Sequence, residues 1–153
     1  MDNIDRKILT ILQENARTPL KVIAEQVFLS SPAVSARIER LEASGYITGY
    51  QAQFSGAEMG YQIKAFISME LEPVQKPEFY PYVQQCPNVM ECNCVTGDYS
   101  ILLKVCFHTT QELDQFIDQL SRFGRTRTQI VFSTPVEHRG IPTMEQDEPE
   151  ENI

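Results

Sequence analysis

Three groups of residues in this 153-residue chain carry the types and spacing that could do chemistry. The first is Ser31-Pro32-Ala33-Val34-Ser35-Ala36-Arg37-Ile38-Glu39-Arg40, a helix-forming run. At 100° per residue, Pro32, Ala36, Glu39 and Ala43 point away from an apolar stripe of Val34, Ile38 and Leu41. The leading half of that outer face is small and hydroxylated. A helix enters the DNA major groove only if its leading edge admits close approach, and Ser31 and Ser35 can donate to or accept from base edges. Arg37 and Arg40, one turn on, are at a distance to reach phosphates. The competing reading pairs them with Glu39, Glu42 or solvent, as most surface arginines are.

The second group is Thr96-Gly97-Asp98-Tyr99-Ser100. Successive N–H groups in a glycine-containing turn can cradle a carboxylate, and the Asp98 carboxylate can hold an ammonium, so the two ends of an amino acid find partners there. The competing reading is a hairpin turn and nothing more. The third group is Cys92-x-Cys94, which sits in a strand-like stretch with both thiols on one face. It lacks the second Cys pair or the histidines at ligand spacing that a zinc site needs, and His108 and His138 have no companions, so no metal and no cofactor is expected. Nor does an enzyme emerge. Cys92, Cys94 and Cys106 have no histidine in a shared motif, there is no glycine-rich phosphate loop, and the carboxylates fall on helix surfaces or near the C-terminus.

The elements that must position these groups follow from periodicity. Ile4, Ile8, Ile11 and Leu12 mark a first helix capped by Asp2 or Asn3. Thr18-Pro19 opens a second, with Leu20, Ile23, Ala24 and Val27 as its stripe. Ser30-Ser31-Pro32 opens the third, which Gly45 ends, and three helices in about 45 residues predict a helix-turn-helix. Tyr46 to Phe54 reads as extended, and Ser55 to Gly60 as linker. The period then becomes two, with Ile63, Ala65, Ile67, Met69 and Leu71 alternating with Lys64, Phe66, Ser68, Glu70 and Glu72. Helical spacing returns at Phe79, Tyr82, Val83 and Cys86. Val89–Val95 and Tyr99–Phe107 predict two strands. Thr109-x-x-Glu112 is a capping box for a helix carrying Leu113, Phe116, Ile117 and Leu120, closed by Gly124, and Thr126–Thr134 predicts a last strand.

The fold class is therefore α+β: an N-terminal all-α helix-turn-helix domain over residues 1–48, an extended strand and linker over 49–60, and a βαββαβ ferredoxin-like sandwich over 61–143. Residues 144–153 hold five acids and no base and are expected to be a solvated, disordered tail. Helices on one face would leave Phe66, Leu102 and Cys106 on the other, an apolar patch that a second copy would cover, predicting a homodimer.

Charge bounds the partners. The formal charge is -8, yet residues 1–50 balance six bases against six acids, so the deficit lies entirely beyond them. A single neutral helix-turn-helix makes few phosphate contacts, and useful DNA affinity then requires several copies on one duplex. No apolar run approaches the roughly 18 residues that span a bilayer, and the opening residues are too polar for a signal peptide. The expectation is a cytoplasmic protein with reduced thiols and no membrane partner.

Four stretches in order, Ile4-Asp5-Arg6-Lys7-Ile8-Leu9, Leu29 through Glu42, Gly45-Tyr46-Ile47-Thr48-Gly49-Tyr50 and Thr96 through Ser100, resemble the leucine-responsive/asparagine regulator (Lrp/AsnC) family of prokaryotic transcription factors. The resemblance covers roughly Ile4 to Thr143. It implies a sequence-specific DNA-binding regulator whose sheet domains pair, whose dimers assemble into octamers, and which binds a small amino-acid effector between dimers. Gly97, Asp98 and Tyr99 would contact that effector. Thr128 and Gln129 match a region where members tune the response. Ser100 stands where the family motif has aspartate. The alternative is an oligomeric amino-acid-binding protein or enzyme of ferredoxin-like fold that reads no DNA.

Overall fold

Asp2 begins the first helix by accepting a hydrogen bond from the Asp5 N–H at 2.8 Å, while the Asp5 carboxylate accepts from the Asp2 N–H at 3.1 Å. This reciprocal cap satisfies two of the amide groups that a helix start leaves without partners. The computed structural model describes residues 1–143; the acidic stretch expected over 144–153 lies outside the described residues. Helix α1 spans Asn3–Glu14, α2 Leu20–Val27 and α3 Ser31–Ala43. Their stripes meet in one core of Ile8, Ile23, Ala24, Val27, Val34 and Leu41, flanked by Ile4, Leu12, Ile38 and Ile47.

The capping expectation for α2 shifts by one residue. Pro19 occupies the N-cap position, and the Thr18 hydroxyl instead donates to the Asn15 carbonyl at 2.7 Å, closing the turn from α1. Helix α2 ends at Phe28, whose φ of 57° puts an aromatic residue in the left-handed region. Helix α3 starts as expected, with Ser30 accepting from the Ala33 N–H at 3.3 Å. It ends through Ser44 and Gly45, whose φ of +75° favours glycine.

The stretch from Thr48 to Phe54 pairs with no strand among the described residues, so the strand expected there is only extended chain within one copy. The N-terminal unit, Met1–Gln53, also takes in residues 138–143, which the sequence reading placed in the sheet domain. The Gln13 side-chain amide donates to the Ile141 carbonyl at 2.9 Å, and the Thr10 and Thr143 hydroxyls share a hydrogen bond.

The second unit, Phe54–Glu137, contains β1 (Ile63–Met69), α4 (Lys76–Gln85, preceded by one 3-10 turn), β2 (Val89–Cys94), β3 (Ile101–Phe107), α5 (Thr110–Leu120) and β4 (Thr126–Ile130). All strand pairs are antiparallel, in the order β2-β3-β1-β4. This is the βαββαβ sandwich the periodicity predicts. Ala65, Ile67 and Met69 of β1 and Ile101, Leu103, Val105 and Phe107 of β3 form the covered face. They pack with Phe79 and Val83 of α4, Leu113, Phe116 and Leu120 of α5, and Phe123. Lys64, Phe66 and Ser68 of β1 and Leu102, Lys104 and Cys106 of β3 alternate onto the open face and are half-buried.

Three local expectations change. Strand β4 stops at Ile130, not Thr134, because Ile130 already pairs with Ala65 and β1 extends only two residues further, to Ile63. Glu112 accepts from the His108 N–H at 2.9 Å instead of the Thr109 N–H, so only the Thr109 half of the capping box forms. Gly124 does not cap α5, whose C-cap is Ser121. Its role is close approach: a Cβ there would lie 1.8 Å from the Glu70 carbonyl oxygen.

Candidate nucleic-acid interface and effector turn

Helix α3 presents Pro32, Ala36, Glu39, Arg40, Glu42 and Ala43 as its exposed residues, with Ser31, Ser35 and Arg37 half-buried beside them. The small outer face expected from the helical wheel is therefore open. The Ser35 hydroxyl donates to the Glu39 carboxylate at 3.1 Å within the helix, and must leave that partner before it can meet a base edge.

The two arginines do something the sequence reading did not assign. Arg37 Nη1 lies 2.7 Å from both Asp2 Oδ2 and Asp5 Oδ1, and Arg40 Nη2 lies 3.0 Å from both Asp5 oxygens. They bind the start of α1 and not Glu39 or Glu42 of their own helix. Glu42 instead accepts from the Tyr50 hydroxyl at 2.8 Å; burial and that carboxylate push Tyr50 up to about 12. Asp5 is 2% exposed, and a carboxylate so buried persists charged only when paired. Burial raises its pKa, but the Arg37 hydrogen bond, the Asp2 N–H and the Arg40 charge outweigh that and hold it below its ordinary value. The Arg37 hydrogen bond holds Asp2 low too, and these two carboxylates raise Arg37. Arg37, which pairs with two carboxylates, is 23% exposed, whereas Arg40, which pairs with Asp5 alone, is 59% exposed.

A sequence signal for this clamp exists. Asp5, Ile8 and Leu12 follow helical spacing, so an acid sits on the apolar stripe of α1, and an acid there demands a buried base.

The second candidate region is the turn between β2 and β3. Gly97 adopts φ +106° with open space around it, so the turn's conformation, not crowding, requires glycine. Asp98 is exposed and Tyr99 half-buried. Ser100 has its own work: its hydroxyl accepts from the Leu71 N–H at 3.2 Å and lies 3.3 Å from the Leu71 carbonyl, tying the turn to the end of β1. Its backbone carbonyl accepts from the Val95 N–H at 2.9 Å.

Thr128 and Gln129 do not join this turn within one chain. Thr128 pairs with Ile67 and Gln129 with Phe66, so they face opposite sides of β4, and β1 and β3 lie between β4 and β2. Two strand spacings put Gln129 about 10 Å across the sheet from β3. The Thr128 hydroxyl is buried without a hydrogen-bond partner among the described residues.

His108 accounts for itself structurally, with Nδ1 2.9 Å from the Gly60 carbonyl and its ring stacked on Tyr61 at 4.1 Å. Among the described residues no group of three or more His, Cys, Asp or Glu side chains is arranged to hold a metal ion. No helix there is long and apolar enough to cross a membrane.

Comparison with known proteins finds two family matches. Residues 1–48 match a family model described as winged helix-turn-helix DNA-binding, and residues 64–141 match one described as the Lrp/AsnC ligand binding domain. The regulator LrpA of Bacillus subtilis is 30% identical over 132 residues, covering 86% of this chain and 97% of the relative. Another regulator of that organism, YezC, is 34% identical, covering 88% and 95%. Among solved structures, the Neisseria meningitidis regulator NMB0573 in complex with L-Met superposes with a TM-score of 0.86 at 28% identity, covering 93% of this chain and 96% of that one. The E. coli AsnC structure gives 0.83 at 29% identity, covering 93% and 99%.

Proposed function

Because the chain belongs to the Lrp/AsnC family of transcriptional regulators, we propose that it reads DNA through α3 and answers to a small amino acid bound at the Gly97–Tyr99 turn. It acts by binding rather than by catalysis. The observation that carries the reading is the state of α3: capped at Ser30, free of bulk at Pro32 and Ala36, and locked to α1 through Arg37, Arg40, Asp2 and Asp5. A groove-reading helix has to arrive rigid and slim, since ordering it on the DNA would subtract from affinity. Ser31 and Ser35 supply the base-edge contacts, and Arg40 supplies the phosphate contact.

Arg37 is a positioning residue for α3 in this reading, with phosphate contact secondary to its carboxylate pairs. The neutral charge balance of residues 1–50 favours several copies on one duplex. A second copy stacked on Phe66, Leu102 and Cys106 of the open sheet face provides them, and four such dimers would make the octamer. NMB0573 is seen with L-Met, and the Gly97–Asp98 turn offers amide donors and a carboxylate to both ends of such a ligand. Gln129 and Thr128 complete that site only if another copy supplies them. The amino acid regulates by binding one assembly state better than another.

The test is a DNA titration of the full-length protein against the promoter of its own or a neighbouring gene, followed by fluorescence anisotropy. Expected is a salt-dependent, sequence-selective shift whose midpoint moves with one of the twenty amino acids. No binding at low salt rejects the DNA reading. Binding unaffected by every amino acid rejects the effector.

A further inference from the structure

The thiols of Cys92 and Cys94 remain outside everything assigned so far. Register pairs Cys92 with Leu103 and Cys94 with Ile101, both residues of the covered face, so the two cysteines project side by side from edge strand β2 toward α4. Both are exposed, and the Tyr80 hydroxyl of α4 lies 3.2 Å from Cys94 Sγ. The other two cysteines are separate: Cys86 Sγ donates to the Tyr82 carbonyl at 3.3 Å, and Cys106 lies on the open face.

This arrangement does not suit a disulfide. Two residues along a strand advance about 6.7 Å, the far edge of the Cα separation a disulfide tolerates, and their Cβ vectors run parallel instead of converging. It does not suit a reactive thiol either. Burial, then the neighbouring Cys94, push the Cys92 thiol above its ordinary range, keeping it protonated and weakly nucleophilic at neutral pH. Zinc would want four ligands, and no third His, Cys, Asp or Glu joins the pair among the described residues.

A two-coordinate soft cation fits these constraints. Two metal–sulfur bonds of about 2.3 Å need sulfurs about 4.6 Å apart, which rotation about χ1 supplies from parallel side chains two residues apart. Thiolates select such soft ions over hard ones. We propose that Cys92 and Cys94 form an intrachain bis-thiolate site for a soft monovalent cation of the copper(I) class, with the Tyr80 hydroxyl donating to the Cys94 sulfur. Binding exchanges two protons for the ion: two thiols and one monovalent cation give one anionic dithiolate complex and two released protons, with no change of oxidation state. The ion would clamp the strand that leads directly into the Thr96–Tyr99 turn.

The experiment is anaerobic titration of the reduced, full-length protein with copper(I), in competition with a chromophoric copper(I) chelator. Expected are one ion retained per chain and two protons released. Retention should be lost in Cys92→Ser and in Cys94→Ser, kept in a Cys86→Ser/Cys106→Ser variant, and weakened about tenfold in Tyr80→Phe. Circular dichroism checks that the serine variants stay folded. Transfer of all copper to the chelator overturns the proposal, as does retention that survives loss of both Cys92 and Cys94. Half an ion per chain also overturns it, because the ion would then bridge two copies.

Discussion

Replacing Arg37 by alanine separates two roles for one side chain, clamp and phosphate contact. The substitution removes the 2.7 Å bond to Asp5 and leaves a carboxylate 2% exposed with Arg40 as its remaining basic partner. Stripping a buried ion of its partner costs about 3–5 kcal/mol when nothing replaces it. Here Arg40 and the Asp2 N–H stay, so the expected loss is smaller, about 2–3 kcal/mol. A unit of some fifty residues holds only about 3–8 kcal/mol in all, so this loss removes a large part of it. At about 4–8 °C per kcal/mol for a unit this size, its melting transition should fall by at least about 8 °C. Urea unfolding followed by far-UV circular dichroism measures the change, and a double-mutant cycle with Asp5→Asn isolates the pair. The same clamp sets a pH dependence. Asp2 and Asp5 are both held below their ordinary values, so their contribution is present above about pH 4, the unfolded carboxylate range, and fades as pH falls through the lower folded values. Asp5→Asn should flatten that acid limb. An Arg37→Ala protein within about 0.5 kcal/mol of wild type, the range of ordinary surface substitutions, refutes the clamp.

Other expectations follow from the same geometry. Arg40→Ala should weaken binding to all DNA sequences alike and lower the salt slope by about one, in anisotropy titrations over several salt concentrations. Gly124→Ala should destabilise the second unit by about 2 kcal/mol or more, because its methyl would meet the Glu70 carbonyl oxygen at 1.8 Å; thermal unfolding measures it. Phe66→Glu places a charge on the open face of β1 and should shift native mass toward monomer.

The helices, the βαββαβ element order and the covered face were legible because one apolar pattern determines each. Asp2 with Asp5, Ser30, and Ile63 through Met69 satisfy local rules that need no knowledge of distant contacts. What was not legible depends on partners far along the chain. Arg37 and Arg40 looked available because their nearest acids in sequence are Glu39 and Glu42, whereas Asp2 and Asp5 approach only after α1 packs against α3. Strand β4 looked four residues longer because its composition stays strand-like after its partner β1 runs out. Gly124 looked like a cap because the crowding comes from Glu70, just past the end of β1 and far along the chain. Ser100 read as a missing carboxylate until its hydroxyl was seen tied to Leu71.

The most direct measurement of DNA reading by α3 is the affinity of an Ala36→Glu variant for its promoter. Ala36 is exposed on the outer face and lies outside the helical core, so the substitution should leave melting temperature and native mass unchanged. Set against the phosphates and base-edge acceptors of the groove, the added carboxylate should cost several kcal/mol, a loss of about a hundredfold or more in affinity. Wild-type affinity in that variant would mean that some other surface meets the DNA.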